Sequence, residues 1–384
     1  MSLYIKPMGI IGIGNAGSQV AHLAESTIGE IVDSVYINTS DADLSMVGDS
    51  NFKFKIGENV EGSGKNRDVT KQHLRTSIMS IIKNTEFQDL IVDKKYVFVI
   101  ASAAGGTGSG AAPVLFKTLS DLFPDVNFIL IGILPQLNSS LLEQINTLEY
   151  LDELYNKLPA NTTYMMYDNE VTKDMSSTRG LVEINKNIVE DIRILSGVDN
   201  FPTPFESIDE ADMENIITTP GRLMVTRVIS GLTEKTMEDN QIDDLIIRSI
   251  KSSMHCEINR DKKILRCGIV TFFTEQCNNL YNSSLDKLLQ FIGTPAERFN
   301  HNAINKGNET MNKLYFISSG LSMVNDRINR INNRVKELED ALKAATDKKE
   351  TGIDSEIISD MKRLKNNRDK HIVDVDIDKI FNNF

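Results

Sequence analysis

The stretch ASAAGGTGSGAAP, Ala101 to Pro113, follows directly on the apolar run YVFVI from Tyr96 to Ile100. Gly105, Gly106, Gly108 and Gly110 stand there among the small residues Ala103, Ala104, Thr107 and Ser109. Residues without a Cβ let the backbone take positive φ and let a ligand come close. A loop of this kind that opens a helix aims several N–H groups at one spot, where the helix dipole also favours negative charge. The chemistry it offers is phosphate binding, and the plain alternative is a close-packed strand-to-helix turn. A second loop, GIGNAGS from Gly12 to Ser18, follows the first apolar run, with Gly12, Gly14 and Gly17 in GxGxxG spacing and Asn15 and Ala16 between them. Alone, that spacing points to a dinucleotide-binding Rossmann fold. Such a fold wants an acid at the end of its second strand to hold a ribose. Here DSVYINTSDADL ends in Asn38 and Thr39, and the first acid beyond is Asp41. A Walker A loop fails as well: GENVEGSGKN, Gly57 to Asn66, lacks the GxxxxGK[ST] spacing and has Asn66 where a magnesium-binding hydroxyl belongs. Two phosphate cradles at the carboxyl ends of two strands suit a polyphosphate better than one does, at the edge where open α/β sheets bind ligands.

The elements that must position these loops are legible. Apolar runs at Gly9–Ile13, Ser34–Asn38, Phe52–Ile56, Tyr96–Ile100, Phe128–Leu134 and Tyr164–Tyr167 alternate with amphipathic stretches. That alternation predicts βαβ units and a largely parallel, Rossmann-like sheet covered by helices on both faces, over residues 1–178. The periodic stretch GLVEINKNIVEDIRIL, Gly180–Leu195, reads as a linking central helix within 179–200. A smaller α/β domain is expected over 201–320, with strands near Cys267–Phe273, Arg298–Ile304 and Lys313–Ser318. Residues 321–384 form the C-terminal helical extension and basic tail. Val324, Ile328, Ile331, Val335, Leu338, Leu342 and Ala345 make a heptad-like stripe, which fits a helix laid on the body or a coiled coil. A second helical stretch is expected beyond Gly352, leading into the basic run KRLKNNRDKH, Lys362–His371.

Composition removes several function classes. A net charge of −12 argues against broad binding of nucleic acid over the whole surface. No apolar run approaches the roughly 18 residues of a membrane span, and MSLYIKPMGI has no signal-peptide pattern, so a cytoplasmic protein is expected. Cys256, Cys267 and Cys277 contain no CxxC pair and read as reduced thiols, and no metal-ligand motif is present.

The motif AGGTGSG resembles the GGGTG[TS]G signature of the tubulin/FtsZ GTPases, with Ala104 in place of the first glycine. By motif order the resemblance covers most of residues 8 to 320. It implies a GTPase domain, an activation domain, and GTP or GDP with Mg²⁺ as the bound species. It makes Gly12, Gly14, Asn15, Ala16 and Gly17 the first phosphate loop, and Asn38, Thr39 and Asp41 the second. Gly62–Asn66 would lie near the γ-phosphate, and Ala104, Gly105, Gly106, Thr107, Gly108, Ser109 and Gly110 would form the signature loop. YDNEV, Tyr167–Val171, resembles the family's DNE segment and puts Asn169 on the guanine edge; INKN makes Asn187, or else Asn185, the second base contact. A carboxamide carries the donor and acceptor that guanine's edge requires. The ribose segment PQLNSSLLEQ offers Ser139, Ser140 and Glu143 but lacks the family's Glu-xxx-Arg spacing. The base-stacking aromatic of relatives aligns with Glu183, or with Leu181 in the other register. SIDEADMENI resembles the family's NxDxxD loop, so Asp209 and Asp212 would orient the attacking water on the nucleotide of a neighbouring subunit. Without the resemblance the same residues read as an acidic, solvated loop.

The implied function is GTP-dependent, head-to-tail filament assembly. A charged helix running into a basic tail resembles the partition branch of plasmids and prophages, the TubZ proteins, with a clostridial phage member as the nearest expectation. That branch implies a TubR-like DNA-binding adaptor, bound to centromere DNA and held by the tail. An FtsZ-like division protein, a Rossmann oxidoreductase and a non-hydrolysing nucleotide-gated scaffold stand as alternatives.

Overall fold

The computed structural model describes residues 8–47, 52–58, 60–92, 94–197, 203, 207–228, 242–251, 253–257, 264–274, 286, 289, 293–305 and 312–347. Its spine is one ten-stranded sheet in the order β3-β2-β1-β4-β5-β6-β7-β10-β8-β9. The strands are β1 (Met8–Ile13), β2 (Val32–Asn38), β3 (Lys53–Lys55), β4 (Tyr96–Ser102), β5 (Asn127–Leu134), β6 (Thr163–Asp168), β7 (Gly221–Val228), β8 (Arg266–Thr274), β9 (Glu297–Asn305) and β10 (Lys313–Leu321). From β3 to β7 every pairing is parallel; β10 runs antiparallel to β7 and β8, and β9 is parallel to β8. The chain builds outward from β1 in one direction and restarts at β4 on its other side, so the topological switch point lies between β1 and β4.

The apolar runs lack alternation because both sheet faces are covered, as parallel sheets require. Successive side chains divide between two cores. Ile10, Phe98 and Ile100 pack with α1 (Gly14–Ile28) and with the central helix through Ile184, Ile188 and Ile192. Ile11, Val97 and Val99 pack on the other face with Leu74, Phe87, Leu115 and Leu154. These come from α3 (Arg67–Ile82), α4 (Thr85–Val92), α5 (Thr107–Leu122) and α6 (Leu141–Asn156). Short α2 (Asp41–Ser45) follows β2, and the central helix, α7, spans Ser177–Leu195. A third core around Met224, Phe273 and Phe316 serves the antiparallel part of the sheet.

Three elements differ from expectation. β7 was not anticipated, because Arg222, Thr226 and Arg227 interrupt its apolar run. Arg222 is nevertheless fully buried, donating to the carbonyls of Cys256 (2.6 Å) and Glu257 (3.0 Å). The acidic stretch after Ser207 is mostly helix, α8 (Glu210–Ile217), and α9 (Ile242–Lys251) also went unread. Among the described residues, those up to 332 form one compact unit and 333–347 belong to a second. Val324, just before α10 (Asn325–Asp347), lies in the second core and Ile328 in the first turns of the helix packs against it, so the helix is laid on the body at that end. In the second unit the helix carries i,i+3 pairs Arg334–Glu337 and Lys343–Asp340. The stretch beyond Gly352, the basic run Lys362–His371 and Cys277 lie outside the described residues, while Cys256 and Cys267 are buried free thiols. Among the described residues no helix is long and apolar enough to cross a membrane.

A buried ion cluster braces the helices beneath the glycine loops. Arg67, at the start of α3, pairs with Glu149 (2.8 Å) and Glu153 (2.7 Å) of α6 and donates to the Ser109 carbonyl of α5 (2.9 Å). Burial acts to raise the Glu153 carboxyl, but Arg67 and Lys71 outweigh it and hold the group below its ordinary range. Its stabilising share is therefore present above the ordinary Glu pKa and is lost as pH falls through the lower folded value. Arg67→Met should lower the unfolding free energy by about 3 kcal/mol, the low end for a broken buried pair, because Lys71 and Lys157 still answer the buried Glu153 carboxylate in part. Urea denaturation checks this, and adding Glu153→Gln should recover most of the loss while removing that part of the acid sensitivity.

Candidate functional site

At the switch point α1 follows β1 with no residue between, and α5 follows β4 after the four residues Ala103–Gly106. α1 starts at Gly14, whose φ is +70°. A Cβ on Gly12 would lie 2.5 Å from the Gly17 carbonyl oxygen, and one on Gly17 would lie 2.1 Å from that of Ile100. Strand and helix therefore touch backbone to backbone. A Cβ on Gly14 would come within 3.1 Å of the Gly108 nitrogen, so the two glycine loops are in contact. The N-termini of α1 and α5 carry no side-chain cap, whereas Ser40, Asn66 and Ser140 cap α2, α3 and α6. Uncapped N–H groups at two adjacent helix ends are what an anion needs. Space is open there: a Cβ on Gly105 would meet nothing within 4 Å. Asn15 and Ala16 stay accessible on the first loop, with Asn15 accepting from Gln19 at 2.9 Å.

The other predicted loops close around this space. Thr39 and Thr107 share a hydrogen bond of 2.8 Å, and Thr107 donates to Ser63 at 3.3 Å. Asn38 is spent on its own turn, accepting from the Thr39 N–H (2.8 Å) and donating to Asp43 (3.1 Å). Asp41 pairs with Lys55. Glu61 accepts from the Ser40 hydroxyl (2.6 Å) and from the Asp41 and Ala42 N–H groups, bonds that hold its carboxyl below the ordinary range. Ser109 donates its hydroxyl to the Gly105 carbonyl, and Asn146 of α6 donates to the carbonyls of Lys65 (2.9 Å) and Ala104 (3.0 Å). Glu143 holds Lys65 at 2.9 Å and accepts from the Ser140 N–H and hydroxyl. Burial opposes the charge on Glu143, but these bonds prevail and lower its pKa. Both its oxygens are therefore occupied, and Ser139 sits in the preceding turn, its N–H donating to Gln136 at 3.1 Å. Sequence reasoning missed Glu61, Arg67 and Asn146, while Ser63 lies in the expected Gly62–Asn66 loop. The spacing of Glu143, Asn146, Glu149 and Glu153 along one face of α6 was the available signal.

At the other end of the space, β6 runs into a 3-10 turn, Asn169–Thr172, capped by Asp168, which accepts from the Glu170 N–H at 3.0 Å. The Asn169 Oδ1 is buried with no partner in the protein. Asn187 is more committed: it donates to the Glu183 carbonyl at 2.8 Å and accepts from Arg227 of β7. Leu181 is exposed and Glu183 half-buried. One turn beyond Asn187, buried Asp191 accepts from the Tyr167 hydroxyl (2.7 Å), lies 2.8 Å from His255 Nε2 and pairs with Arg227 (3.1 Å). Burial, reinforced by Asp191, pushes the Tyr167 hydroxyl far above its ordinary pKa, so it donates as a neutral phenol. The cluster fixes α7 to both β6 and β7.

Asp209 and Asp212 are elsewhere. They form the capping box of α8, Asp209 accepting from the Asp212 N–H (2.9 Å) and Asp212 from the Asp209 N–H (3.2 Å). Lys95 pairs with Glu210 (3.0 Å) and Glu214 of the same helix. Lys95 precedes the first residue of β4, and the signature loop follows the last. The seven residues of β4 separate the two by about 23 Å.

Residues 8–177 match the Tubulin/FtsZ family, GTPase domain. Over that stretch, somewhat under half of the chain, the protein carries a GTPase domain of the tubulin/FtsZ type. The chain is 28% identical over 200 residues to the tubulin-like protein CetZ2 of Haloferax volcanii, covering 48% of this chain and 52% of that one. To the tubulin-like protein TubZ of Clostridium botulinum C phage it is 23% identical over 253 residues, 64% of each chain. The chain thus spans about half to two thirds of these relatives. Among solved structures it resembles tail-truncated Clostridium botulinum phage c-st TubZ, with TM-score 0.70 and 18% identity over 87% of this chain and 97% of that one. It resembles Haloferax volcanii CetZ2, solved as a GTPgS bound protofilament, with TM-score 0.67 and 19% identity over 88% and 99%. The fold is the mixed α/β tubulin fold. The expectation of the clostridial phage member itself is corrected by the 23% identity, and identity to CetZ2 exceeds that to TubZ.

The signature glycines of this GTPase domain should separate by what their missing Cβ would meet. A Cβ on Gly106 would strike Ser63 Oγ at 2.2 Å and the Lys65 backbone at 2.7 Å, so the obstacle there is the protein's own third loop. Gly106→Ala should lower the melting temperature of nucleotide-free protein and weaken GTP binding about tenfold or more. Gly105→Ala should leave the nucleotide-free melting temperature unchanged and weaken only binding. Scanning fluorimetry and nucleotide titration check both.

Proposed function

We propose that this protein binds GTP in the two-loop cradle, assembles head to tail, and hydrolyses GTP where one subunit's acids meet the next subunit's nucleotide. The observation that carries the reading is the placement of glycine loops and acid pair at opposite ends of β4. No single subunit brings Asp209 or Asp212 to its own cradle, while stacking edge on edge does. CetZ2, solved as a GTPgS bound protofilament, supports such stacking. In the cradle the uncapped N–H groups of α1 and α5 bind the phosphates, with the Thr39 and Thr107 hydroxyls beside them. Mg²⁺ keeps mainly water and phosphate oxygens as ligands, which fits a site offering the neutral hydroxyls of Thr39, Thr107 and Ser63; bound there it would neutralise developing phosphate charge. Asn169 meets the guanine edge with its unpartnered oxygen, and Asn187, oriented by Arg227, is the second contact. Each acid spends one carboxylate oxygen on capping α8 and keeps the other for water.

The finer part of the reading is cargo: DNA segregation through a TubR-like adaptor gripped by the tail. Five cations, Lys362, Arg363, Lys365, Arg368 and Lys370, lie within nine residues of a chain whose net charge is −12, which suits a charged docking element.

Asp209→Asn and Asp212→Asn keep an oxygen for the cap and remove the charge. Each should bind GTP and sediment as filaments while turnover falls about 10²-fold. For the natural chain, GTPase rate should rise with a threshold in protein concentration. A strictly linear rate through the origin would place catalysis within one subunit.

Truncation at Gly352 should preserve GTP-driven sedimentation and abolish co-sedimentation with an adaptor–DNA complex, an interaction that in the full chain should weaken steeply with salt. Loss of sedimentation would instead assign the tail to assembly.

A further inference from the structure

Arg327, in the first turn of α10, is 192 residues from Pro135 in the chain and donates from Nη2 to its carbonyl. Its Nε lies 2.8 Å from Asp168 Oδ2, both side chains being almost wholly buried. The other Asp168 oxygen accepts from the Glu170 N–H at 3.0 Å, and the Glu170 carboxylate accepts from the Leu137 N–H at 2.8 Å. Leu137 is two residues from Pro135, so the contacts close into a ring. It runs from Arg327 to Asp168, Glu170, Leu137 and Pro135, and back to Arg327. Asn169, with its unpartnered Oδ1, sits on the ring between Asp168 and Glu170.

We propose that Arg327 is a positioning residue for nucleobase recognition, acting by locking the Asp168–Glu170 turn against the loop after β5. This rests on the reading that Asn169 meets the base. A guanidinium suits the task because its rigid plane sends Nη2 to the Pro135 carbonyl while it keeps its charge, at Nε, 2.8 Å from the Asp168 carboxylate. A lysine keeps the charge opposite Asp168 but has one nitrogen to serve both loops. Burial pushes the Asp168 carboxyl above its ordinary range, and Arg327 is the main group opposing that shift, with Arg330 adding to it. Without Arg327 the carboxyl tends to go neutral, its hold on the Glu170 N–H weakens, and the turn bearing Asn169 loses its fixed place. Because a purine base is told apart by one or two hydrogen bonds, a displaced carboxamide costs discrimination before it costs phosphate binding.

The test measures GTP and ATP affinities of the full chain by competition against a fluorescent GTP analogue, with melting temperatures of the nucleotide-free forms alongside. Arg327→Lys should fold with a near-natural melting temperature and lose about tenfold in the ratio of GTP to ATP affinity, with ATP affinity unchanged. Arg327→Met should lose more of the ratio and also melt lower. A natural-chain preference for GTP that survives intact in Arg327→Lys overturns the assignment, and so does an equal weakening of GTP and ATP. Failure of both variants to fold overturns it too, since Arg327 would then hold the fold and not the pocket. Absence of any preference for GTP in the natural chain strikes instead at the reading of Asn169 as a base contact.

Discussion

Backbone lying directly on backbone is the contact on which the rest of the molecule depends. With no side chain at Gly12 and Gly17, α1 leaves β1 in a single step and presses on Ile100 of β4. The same closeness brings Gly14 against Gly108, so two helix N-termini open side by side onto one space. A single methyl at Gly17, 2.1 Å from a carbonyl oxygen, has nowhere to go because both partners are main chain in the centre of a sheet. The surrounding loops could be arranged in several ways; this junction could not.

Around it, buried charge does the fastening. Arg67 joins three helices under the loops, Asp191 joins the central helix to β6 and β7, and Asp168 joins β6 to α10. Each group is costly to bury alone and acceptable once answered, so each fixes where a distant segment must lie. Hydrophobic packing brings helices to the sheet without choosing between nearby registers. The ion pairs select one.

What the sequence made legible was local. Uniformly apolar runs marked the parallel strands, and glycine spacing marked both cradles. β7 was missed because Arg222 and Arg227 look like surface residues until the carbonyls of Cys256 and Glu257 and the carboxylate of Asp191 are brought to them. In the same way Asn146 reads as an ordinary helix residue, though its amide links carbonyls 81 and 42 residues away. Asp209 and Asp212 stand out as acids, but the stretch reads as a loop although their D-x-x-D spacing is that of the capping box at which they lie. Branch within the superfamily was less legible than fold, since the glycine motifs that carry the resemblance lie in the stretch that matches the family as a whole, and CetZ and TubZ relatives are both similar to this chain.

The ring through Arg327 also orders events while the chain is being made. Every glycine of the cradle lies before residue 111, and Asn169 follows within sixty residues more. The guanidinium that closes the ring emerges only after β7, β8, β9 and β10 have been synthesised. A nascent chain on the ribosome therefore has both glycine loops long before the turn bearing Asn169 is locked. Synthesis itself leaves this turn unlocked until the four later strands exist.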